Sequence, residues 1–588
     1  MSDMPNIPEN ELPGSTASKL ELSPEKIEGI AAFDVVLMAF VALGACLRFL
    51  WVGKRELWYD EVLSILLSSG QKNAYKLPDK VPFSVGDFAP LLNIPSESGI
   101  SGAVNTMKNV VKGTLGDPHP PLFYLSEHGW MRLFGNGEGA LRSLVMWMSL
   151  AAIGVAYLLG KRVLGRRGGL IFAALLSLNP FFLAHSLNLR MYAGMVFWTL
   201  VSGLGLLTLL TQRQRDSVHE SAGKQTGWLL RLLVAGSITA GLLTQYLFAY
   251  WLFALAALVL YCDRKRWFQH GLTLGLGVLL FLPWAWWGVR QQINNRSDVL
   301  NQISAAGGPL QSALQHGKDL AQTLANHLLL GHLTTGMMPI ADDIKPTAVA
   351  VGGGVIGFLV VCVVGLYRRR QYRVLMIAGL MGLVPLAVAL GIDVLTGKYT
   401  LGFGWGRSTI VALPGCLLLV AAWLDLGTGR LREGLTVGLL VLYLAVNVGD
   451  FGGRDRQMFH QLSKGYIPET QEASLVVLNT RAWGHVLRLV YYIEEMYPGF
   501  DIDVLATDPA DVTAALAPAL AQKDYRTVLW LKADYPLWGT PETDEELAQL
   551  GLETGAFLQE RLEKMKGPQA LAGTMKLDHF ELQSYEAR

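Results

Sequence analysis

The chain has 588 residues, of which 51% are hydrophobic and only 16% are charged. Soluble globular proteins carry roughly 25% charged residues, so this composition is typical of a membrane protein with many spans. The net charge of +1 does not indicate nucleic acid as a partner, and the four cysteines lie in or beside apolar segments, which argues against a disulfide framework or a zinc site.

Residues 1–31 are polar and lack the basic-then-apolar order of a cleaved signal peptide. The apolar run at 32–52 is long enough to cross a bilayer. We therefore predict a cytoplasmic tail over 1–31 and a retained signal anchor after it, which opens a membrane domain over 32–450.

Hydropathy predicts eleven membrane spans, at 32–52, 141–160, 168–184, 191–211, 228–244, 246–262, 270–288, 347–366, 374–391, 408–425 and 434–450. If the loop after the first span contains no complete crossing, five clusters of Lys and Arg fall on one side, at 161–167, 213–215, 264–266, 368–373 and 430–432. The positive-inside rule then places that side and the N-terminus in the cytoplasm, and the C-terminal region outside.

Two adjacent carboxylates, Asp60 and Glu61, lie just beyond the first span. A charge inside hydrocarbon costs ~2.5 kcal/mol or more per residue, so both are expected at or beyond the membrane surface. Trp58 and Tyr59 suit that interface. A carboxylate held there can act as a general base. The alternative is an acidic pair that merely ends a helix.

The first extracytoplasmic loop, residues 53–140, is too long for a structureless connector, and short helices on the membrane surface fit its amphipathic pieces. The prolines of its motif DPHPP (117–121) start a helix and hold His119 just outside, where the helix dipole favours an anionic ligand. An ordinary proline-rich turn is the alternative. Residues 120–135 are apolar but short and contain charges, so we predict an interfacial helix there.

Residues 451–588 have the charge and periodicity of a soluble domain. Strands at 474–479, 502–506 and 526–533 alternate with helices at 486–497 and 512–521, which predicts a small α/β layer. No Gly-rich phosphate loop follows the first strand, so we interpret this region as an extracytoplasmic scaffold or acceptor-docking domain.

Several motifs, taken in order, resemble those of the GT-C membrane glycosyltransferases. The nearest group is glycosyltransferase family 39, with the protein O-mannosyltransferases and lipid A aminoarabinose transferases as relatives. The motifs are Trp58-x-Asp60-Glu61, HPPL (119–122), Arg142-Ser143, LGKRVLGRRGG (159–169), LNPFF (178–182) and LRMYA (189–193). The resemblance is good over about residues 35–260 and weaker afterwards. It implies a polytopic helical membrane fold of GT-C type, with about eleven spans, interfacial helices in the first outer loop and the C-terminal α/β domain.

The resemblance also implies the chemistry. A sugar would pass from a polyprenyl-phosphate donor in the lipid bilayer to a glycan, lipid or protein acceptor outside the cytoplasm, by a single inverting displacement. Asp60 would take the proton of the acceptor hydroxyl, and Glu61 would orient a substrate or hold Asp60. His119 would line the same site.

The leaving group of this reaction is a polyprenyl phosphate, an anion that needs cationic partners in a poorly solvated place. Arg142, Arg190 and Arg407 all fall at the outer ends of predicted spans and are candidates for this contact. Snorkelling at the interface is the alternative for each of them. Tyr192, Gln245 and Tyr246 lie in outer turns and are further candidates for substrate binding.

Several relatives have an aspartate shortly after the position of Arg190, whereas this chain has Tyr192-Ala193. We therefore predict no metal ligand or other cofactor, although a divalent cation stays compatible with the pattern. His327 and His332 are five residues apart, which does not place them on one helix face. Two other functions fit many spans and outer arginines: a ligase for polyprenyl-linked oligosaccharides and a non-enzymatic transporter of lipid or polysaccharide. A transporter would show repeated halves, and we find no convincing internal repeat.

Overall fold

The computed structural model of the protein describes residues 31–212, 220–296, 309–333, 345–453, 459–460, 462, 472–533, 536, 541–564 and 580–588. The predicted N-terminal tail therefore lies outside the described residues, apart from its last position. Helices dominate up to residue 453, and five of the six strands of a sheet follow, together with further helices.

The helices of the membrane region and its first loop are α1 (Ala32–Trp51), α2 (Tyr59–Ser68), α3 (Val85–Phe88), α4 (Gly99–Thr114), α5 (Leu122–Phe134), α6 (Glu138–Leu164), α7 (Arg166–Leu178), α8 (Pro180–Ser186), α9 (Tyr192–Gln212), α10 (Glu220–Thr244), α11 (Ala249–Cys262), α12 (Trp267–Trp284), α13 (Arg290–Asn295), α14 (Pro309–Ala325), α15 (Pro346–Arg368), α16 (Tyr372–Thr396), α17 (Leu413–Ala422) and α18 (Arg432–Gly453). The C-terminal helices are α19 (Trp483–Met496), α20 (Val512–Gln522) and α21 (Asp544–Arg561).

Among the described residues, nine helical stretches are long and apolar enough to cross a membrane. The pair α7 and α8 would add a tenth, but it is bent by 61°. The bend follows from the sequence, because Pro180 lacks an N–H group and Asn179 Oδ1 accepts a hydrogen bond from Phe182 N at 2.9 Å, which starts a new helix. The predicted span at 246–262 is the shorter apolar helix α11. The polytopic helical fold is thus confirmed, while the count of eleven spans is not.

Small residues let the membrane helices pack closely. A Cβ atom added to Gly160 on α6 would lie 2.8 Å from the Cα of Gly169 on α7. Every residue of α7 from Gly168 to Leu178 is buried, so this helix is at the centre of the bundle. By contrast, α12 presents exposed apolar side chains such as Leu279 and Leu280, as expected of a surface that faces lipid.

Two of the basic connections, those of Arg166 and Arg432, meet at one end of the bundle. Arg166 Nε lies 3.5 Å from Asp34 Oδ2 at the start of α1, and Arg432 Nε lies 3.3 Å from Asp425 Oδ1. Gly168, two residues after Arg166, packs against Asp425, since a Cβ atom on Gly168 would lie 3.0 Å from Asp425 Oδ2. The two ion pairs are therefore close to each other. Since α1 is about 30 Å long, the stretch that follows it, with the acidic pair, lies at the opposite end.

The first loop folds into helices α2 to α5, which are not among the described helices that are long and apolar enough to cross a membrane. Tyr124 near the start of α5 donates to Asp117 Oδ1 at 3.1 Å. Asn136, just after its end, donates to Asn93 Oδ1 at 2.5 Å. Because both ends of α5 contact the same loop, α5 packs as part of that loop.

The sheet has the strand order β1-β3-β2-β4-β6-β5. Its strands are β1 (Phe83–Ser84), β2 (Ser474–Leu478), β3 (Ile502–Ala506), β4 (Thr527–Ala533), β5 (Leu562–Lys564) and β6 (Phe580–Ala587). Val476 of β2 faces Val504 of β3 and Leu529 of β4 in parallel register, so the three predicted strands form a parallel centre. The other pairings are antiparallel.

Strand β1 comes from the first loop and pairs with β3 at Phe83 and Val504. The loop and the C-terminal region therefore share one sheet, which the sequence did not predict. The predicted domain boundary at 450–451 falls inside α18 and stays a prediction.

Candidate active site

The acidic pair lies at the start of α2. Trp58 precedes the helix in an extended conformation, and its N–H donates to Glu61 Oε2 at 2.9 Å. A glutamate at this position caps the free N–H groups of a helix start, where negative charge is also favourable. The Asp60 side chain remains 20% exposed, whereas that of Glu61 is 1% exposed. The two carboxylates therefore differ in access although they are adjacent.

Glu61 is fully engaged inside the protein. Arg142 donates to both of its oxygens at 2.7 Å, and Leu189 N donates to Oε1 at 2.7 Å. Arg142 also donates to the carbonyls of Arg55 at 2.5 Å and Glu56 at 2.9 Å. This pair fixes the segment that leads into α2, so the geometry favours a positioning role for Glu61 and for Arg142, in place of phosphate binding by Arg142.

Asp60 lies between the other two predicted arginines. Its Oδ2 is 3.4 Å from Arg407 Nη1 and 3.9 Å from Arg190 Nε. Both guanidinium groups are buried, and Arg190 also donates to Ser64 Oγ at 3.0 Å. Within the described ranges, the Nε atoms of both arginines have no hydrogen-bond acceptor. Two arginines thus share one carboxylate at distances that leave donors for a further anion.

A strained turn presents Arg407. Gly404, Trp405 and Gly406 have φ values of 57°, 56° and 91°, a region that non-glycine residues rarely adopt. Hydrogen bonds hold the turn: Asn326 Nδ2 donates to Trp405 O at 3.1 Å, and His327 Nε2 donates to Gly406 O at 2.8 Å.

Aromatic rings surround the Arg407 guanidinium carbon, which lies 5.6 Å from the Trp58 ring centre and 5.9 Å from that of Tyr192. The predicted residue Tyr192 therefore lies beside the site as part of its wall.

The predicted residue His119 lies on the other side of Arg190. Its Nδ1 is 2.7 Å from Asp117 Oδ1, and its Nε2 is 3.4 Å from Arg190 Nη2. Burial by itself would raise the pKa of Asp117, but His119 and Arg190 outweigh it and lower that pKa to about 2. Burial lowers the pKa of His119 in spite of Asp117. A neutral His119 that donates from Nδ1 to Asp117 leaves Nε2 to accept from Arg190.

Tyr246 acts on the site through Gln292 of α13. Tyr246 Oη donates to Gln292 Oε1 and accepts from Trp284 Nε1 at 2.8 Å. Gln292 Nε2 in turn donates to the carbonyl of His119 at 2.8 Å. Gln245 is buried in the turn before α11. Tyr246 therefore supports the loop of His119 from behind through Gln292, whereas Gln245 lies in the adjacent turn.

The C-terminal region holds the segment before Asp60, a feature that sequence reasoning missed. Tyr492 Oη accepts from Leu57 N at 2.6 Å and donates to Glu138 Oε1. Glu56 accepts from His460 N at 2.6 Å, and its other oxygen lies 3.6 Å from Arg488 Nη2. Ser64 and Asp117 were also missed as site residues. No sequence pattern links partners that are more than 400 residues apart.

Metal ligands do not gather in the part of the chain that the structure describes, since no group of three or more His, Cys, Asp or Glu side chains is placed to hold an ion. His185 and His332 are in contact, with their Nε2 atoms 3.1 Å apart. The sequence did not predict this contact, because the two residues are far apart in the chain.

A model of the dolichyl-phosphate-mannose-protein mannosyltransferase family matches residues 118–287. The predicted family resemblance is therefore confirmed over this stretch. The matched stretch contains His119, Arg142, Arg190 and the Gln245–Tyr246 turn. Asp60 lies before it and Arg407 lies after it. No curated protein matches the chain.

Two solved proteins align with most of the chain at low sequence identity. The oligosaccharyltransferase of Archaeoglobus fulgidus is 14% identical, with 84% of this chain and 69% of that one covered and a TM-score of 0.46. ArnT from Cupriavidus metallidurans in the apo state is 13% identical, with 94% and 98% covered and a TM-score of 0.42. ArnT has also been solved bound to undecaprenyl phosphate, and that structure gives a TM-score of 0.37.

Proposed function

We propose that the protein is a membrane glycosyltransferase that moves a sugar from a polyprenyl-phosphate donor to an extracytoplasmic acceptor, with inversion at the anomeric carbon. One observation carries the proposal: a partly exposed carboxylate, Asp60, lies beside two buried guanidinium groups, those of Arg190 and Arg407. A base and an anion site next to each other are what this displacement needs.

In the proposed reaction, the acceptor hydroxyl loses its proton to Asp60 as the hydroxyl oxygen bonds to the anomeric carbon. The bond between that carbon and the phosphate oxygen breaks, and its electron pair leaves with the polyprenyl phosphate. The phosphate thereby gains one negative charge. Arg190 and Arg407 stabilise this charge, and the aromatic wall of Trp58 and Tyr192 keeps water away from it.

Other residues around the site position Asp60, Arg190 and Arg407. Glu61 and Arg142 fix the start of α2, and so the direction of the Asp60 side chain. Asp117 orients His119 against Arg190. Site residues from three distant parts of the chain therefore act on one carboxylate and its two arginines.

The test is an assay of the purified full chain in lipid nanodiscs with a panel of polyprenyl-phosphate sugars. Release of free sugar or transfer to an added acceptor, with the anomeric configuration read by NMR, is the expected result. If no donor in the panel is cleaved, or if the product retains configuration, the proposed reaction is wrong.

Arg190→Lys and Arg407→Lys are each expected to lower kcat by about 10- to 100-fold and to weaken donor binding less. A charge-assisted hydrogen bond contributes about 1.5–3 kcal/mol, and lysine keeps the charge but loses the planar pair of donors that matches phosphate. The contact also strengthens as the leaving phosphate gains charge, which is why turnover suffers most.

Turnover and donor affinity are to be measured for both variants in one lipid composition. Arg526→Lys is the matched control, since Arg526 is 57% exposed and lies in the C-terminal region. Wild-type turnover by both Arg190→Ala and Arg407→Ala would mean that the phosphate binds elsewhere.

We further propose that the end of the bundle with the basic loops is cytoplasmic and that Asp60 and the C-terminal region lie outside. The ion pairs at Asp34 and Asp425 support a common basic end, and the positive-inside rule gives its side.

Labelling can decide this orientation. In a chain with its four cysteines replaced by alanine, Lys265→Cys and Asp544→Cys place single thiols at exposed positions on the two sides. We expect an impermeant thiol reagent on intact cells to label only the Asp544→Cys protein. Labelling of the Lys265→Cys protein alone would invert the topology and place Asp60 in the cytoplasm.

A further inference from the structure

A lysine lies where the first loop meets the C-terminal region. Lys72 follows the end of α2, and its ammonium lies over the ring of Trp483, 4.5 Å from the ring centre. Trp483 is the first residue of α19. Both side chains are half-buried, and Tyr75 packs against Trp483 with ring centres 6.0 Å apart. The indole thus fixes the ammonium through a cation–π contact.

The contact between Lys72 and Trp483 lies beside the candidate active site. The Asp117 carboxylate is near enough to act on the Lys72 ammonium, and Asp117 itself contacts His119. Gly484, the residue after Trp483, packs against the ring of Tyr59, which is the residue before Asp60. Ser68, the last residue of α2, lies about 12 Å along the helix from Asp60, and Lys72 follows it by four residues.

Among the described residues, the Lys72 ammonium lacks an anionic partner. Over the ranges that the structure describes, it donates no hydrogen bond and forms no ion pair. The Asp117 oxygen nearest the site is already bonded to His119 and Tyr124. Burial lowers the pKa of Lys72, which Asp117 opposes. A partly dehydrated ammonium that is held in place gains much from a bound anion.

We propose that Lys72, held by Trp483, is an acceptor subsite that binds an anionic group, a phosphate or a carboxylate, on an acceptor glycan whose hydroxyl reaches Asp60. The inference rests on the proposed transferase function, because it extends the same site toward the acceptor. It gives the C-terminal region a role in acceptor choice, through the residue that fixes the ammonium.

The test measures the binding of acceptor-like probes in the absence of the donor, so that it does not depend on turnover. Three probes are compared: methyl cellobioside, its derivative with a carboxylate at C6 of the second ring, and the derivative with a phosphate there. Dissociation constants are measured by NMR titration with the full chain in nanodiscs of neutral lipid at low salt. At least one anionic probe is expected to bind about tenfold tighter than the neutral one.

Lys72→Gln should remove this preference and Lys72→Arg should keep it. Lys72→Met keeps the apolar stem against Trp483 and repeats the test if Lys72→Gln does not fold. Lys108→Gln is the matched control: Lys108 is an exposed lysine of the same loop, and its loss changes the net charge equally.

The outcomes separate the possibilities. Preference for the phosphate probe alone, or for the carboxylate probe alone, identifies the anion. Equal binding of all three probes to the wild-type chain, or an unchanged preference in Lys72→Gln and Lys72→Met, would overturn the subsite. Failure of the donor assay would instead overturn the transferase function while leaving these binding constants valid.

Discussion

Asp60→Asn is expected to lower the rate of sugar transfer by about 10²- to 10⁴-fold and to leave donor binding close to that of the wild-type chain. The amide has the shape of the carboxylate but cannot take the acceptor proton. Asp60 is also the only one of the two adjacent acids with access to solvent, since its side chain is 20% exposed and that of Glu61 is 1% exposed.

Donor binding should survive this change for a physical reason. Arg190 and Arg407 lie 3.9 and 3.4 Å from the carboxylate oxygen, so their contacts with Asp60 are loose ones. Removing the negative charge frees both guanidinium groups for the phosphate, and donor affinity should stay equal or rise.

The measurement is single-turnover transfer, together with donor affinity, for Asp60→Asn in nanodiscs. Asp79→Asn is the matched control, because Asp79 is an exposed aspartate of the same loop. Transfer by Asp60→Asn at the rate of the Asp79→Asn control would remove Asp60 from the role of general base.

Arg142→Gln is expected to destabilise the protein by about 3–5 kcal/mol, because it leaves the Glu61 carboxylate buried with its counter-charge removed. The pair is made of two parallel hydrogen bonds of 2.7 Å, and its side chains are 3% and 1% exposed. Two backbone donors, Trp58 N and Leu189 N, would be left to hold the charge.

The effect is to be measured as the free energy of unfolding in mixed micelles, with Glu61→Gln and the double variant to complete a cycle. We expect the double variant to lose less stability than the two single losses added together, since it leaves no buried charge.

The comparison pair is Lys80 with Asp511, which is just as short at 2.6 Å but 44% and 41% exposed. Lys80→Gln should cost no more than about 1 kcal/mol, because water screens that pair. Equal losses for Arg142→Gln and Lys80→Gln would contradict the positioning role.

Several features could be predicted from the sequence because they depend on local patterns. A long run of apolar residues is visible in the sequence itself, so most predicted spans coincide with long apolar helices of the structure. Alternation of apolar strands and helices likewise gave the parallel centre of the sheet, from 474 to 533. The prolines before α5 and the acids at the start of α2 act within one turn, and their neighbourhoods fold as expected.

Other features were predicted incompletely because they depend on a residue that lies next to them, either in the chain or in the fold. The spans at 168–184 and 246–262 are apolar enough, but a proline bends the first and the second is one short helix. The strand at Phe83–Ser84 has two residues, too few for a period to show. It forms because β3 offers it an edge, and β3 lies more than 400 residues away.

The sequence by itself determined the class of the protein, its membrane segments, the position of the acidic pair and the family resemblance, because each rests on residues that are close together in the chain. Only the tertiary structure decided which polar side chains meet. It paired Arg142 with Glu61, placed Arg190 and Arg407 beside Asp60, and brought Tyr492 to the segment before α2. The three arginines are alike in sequence context, each at the outer end of a span. They differ in their partners because a buried charge binds whatever opposite charge the packing of distant helices puts within reach.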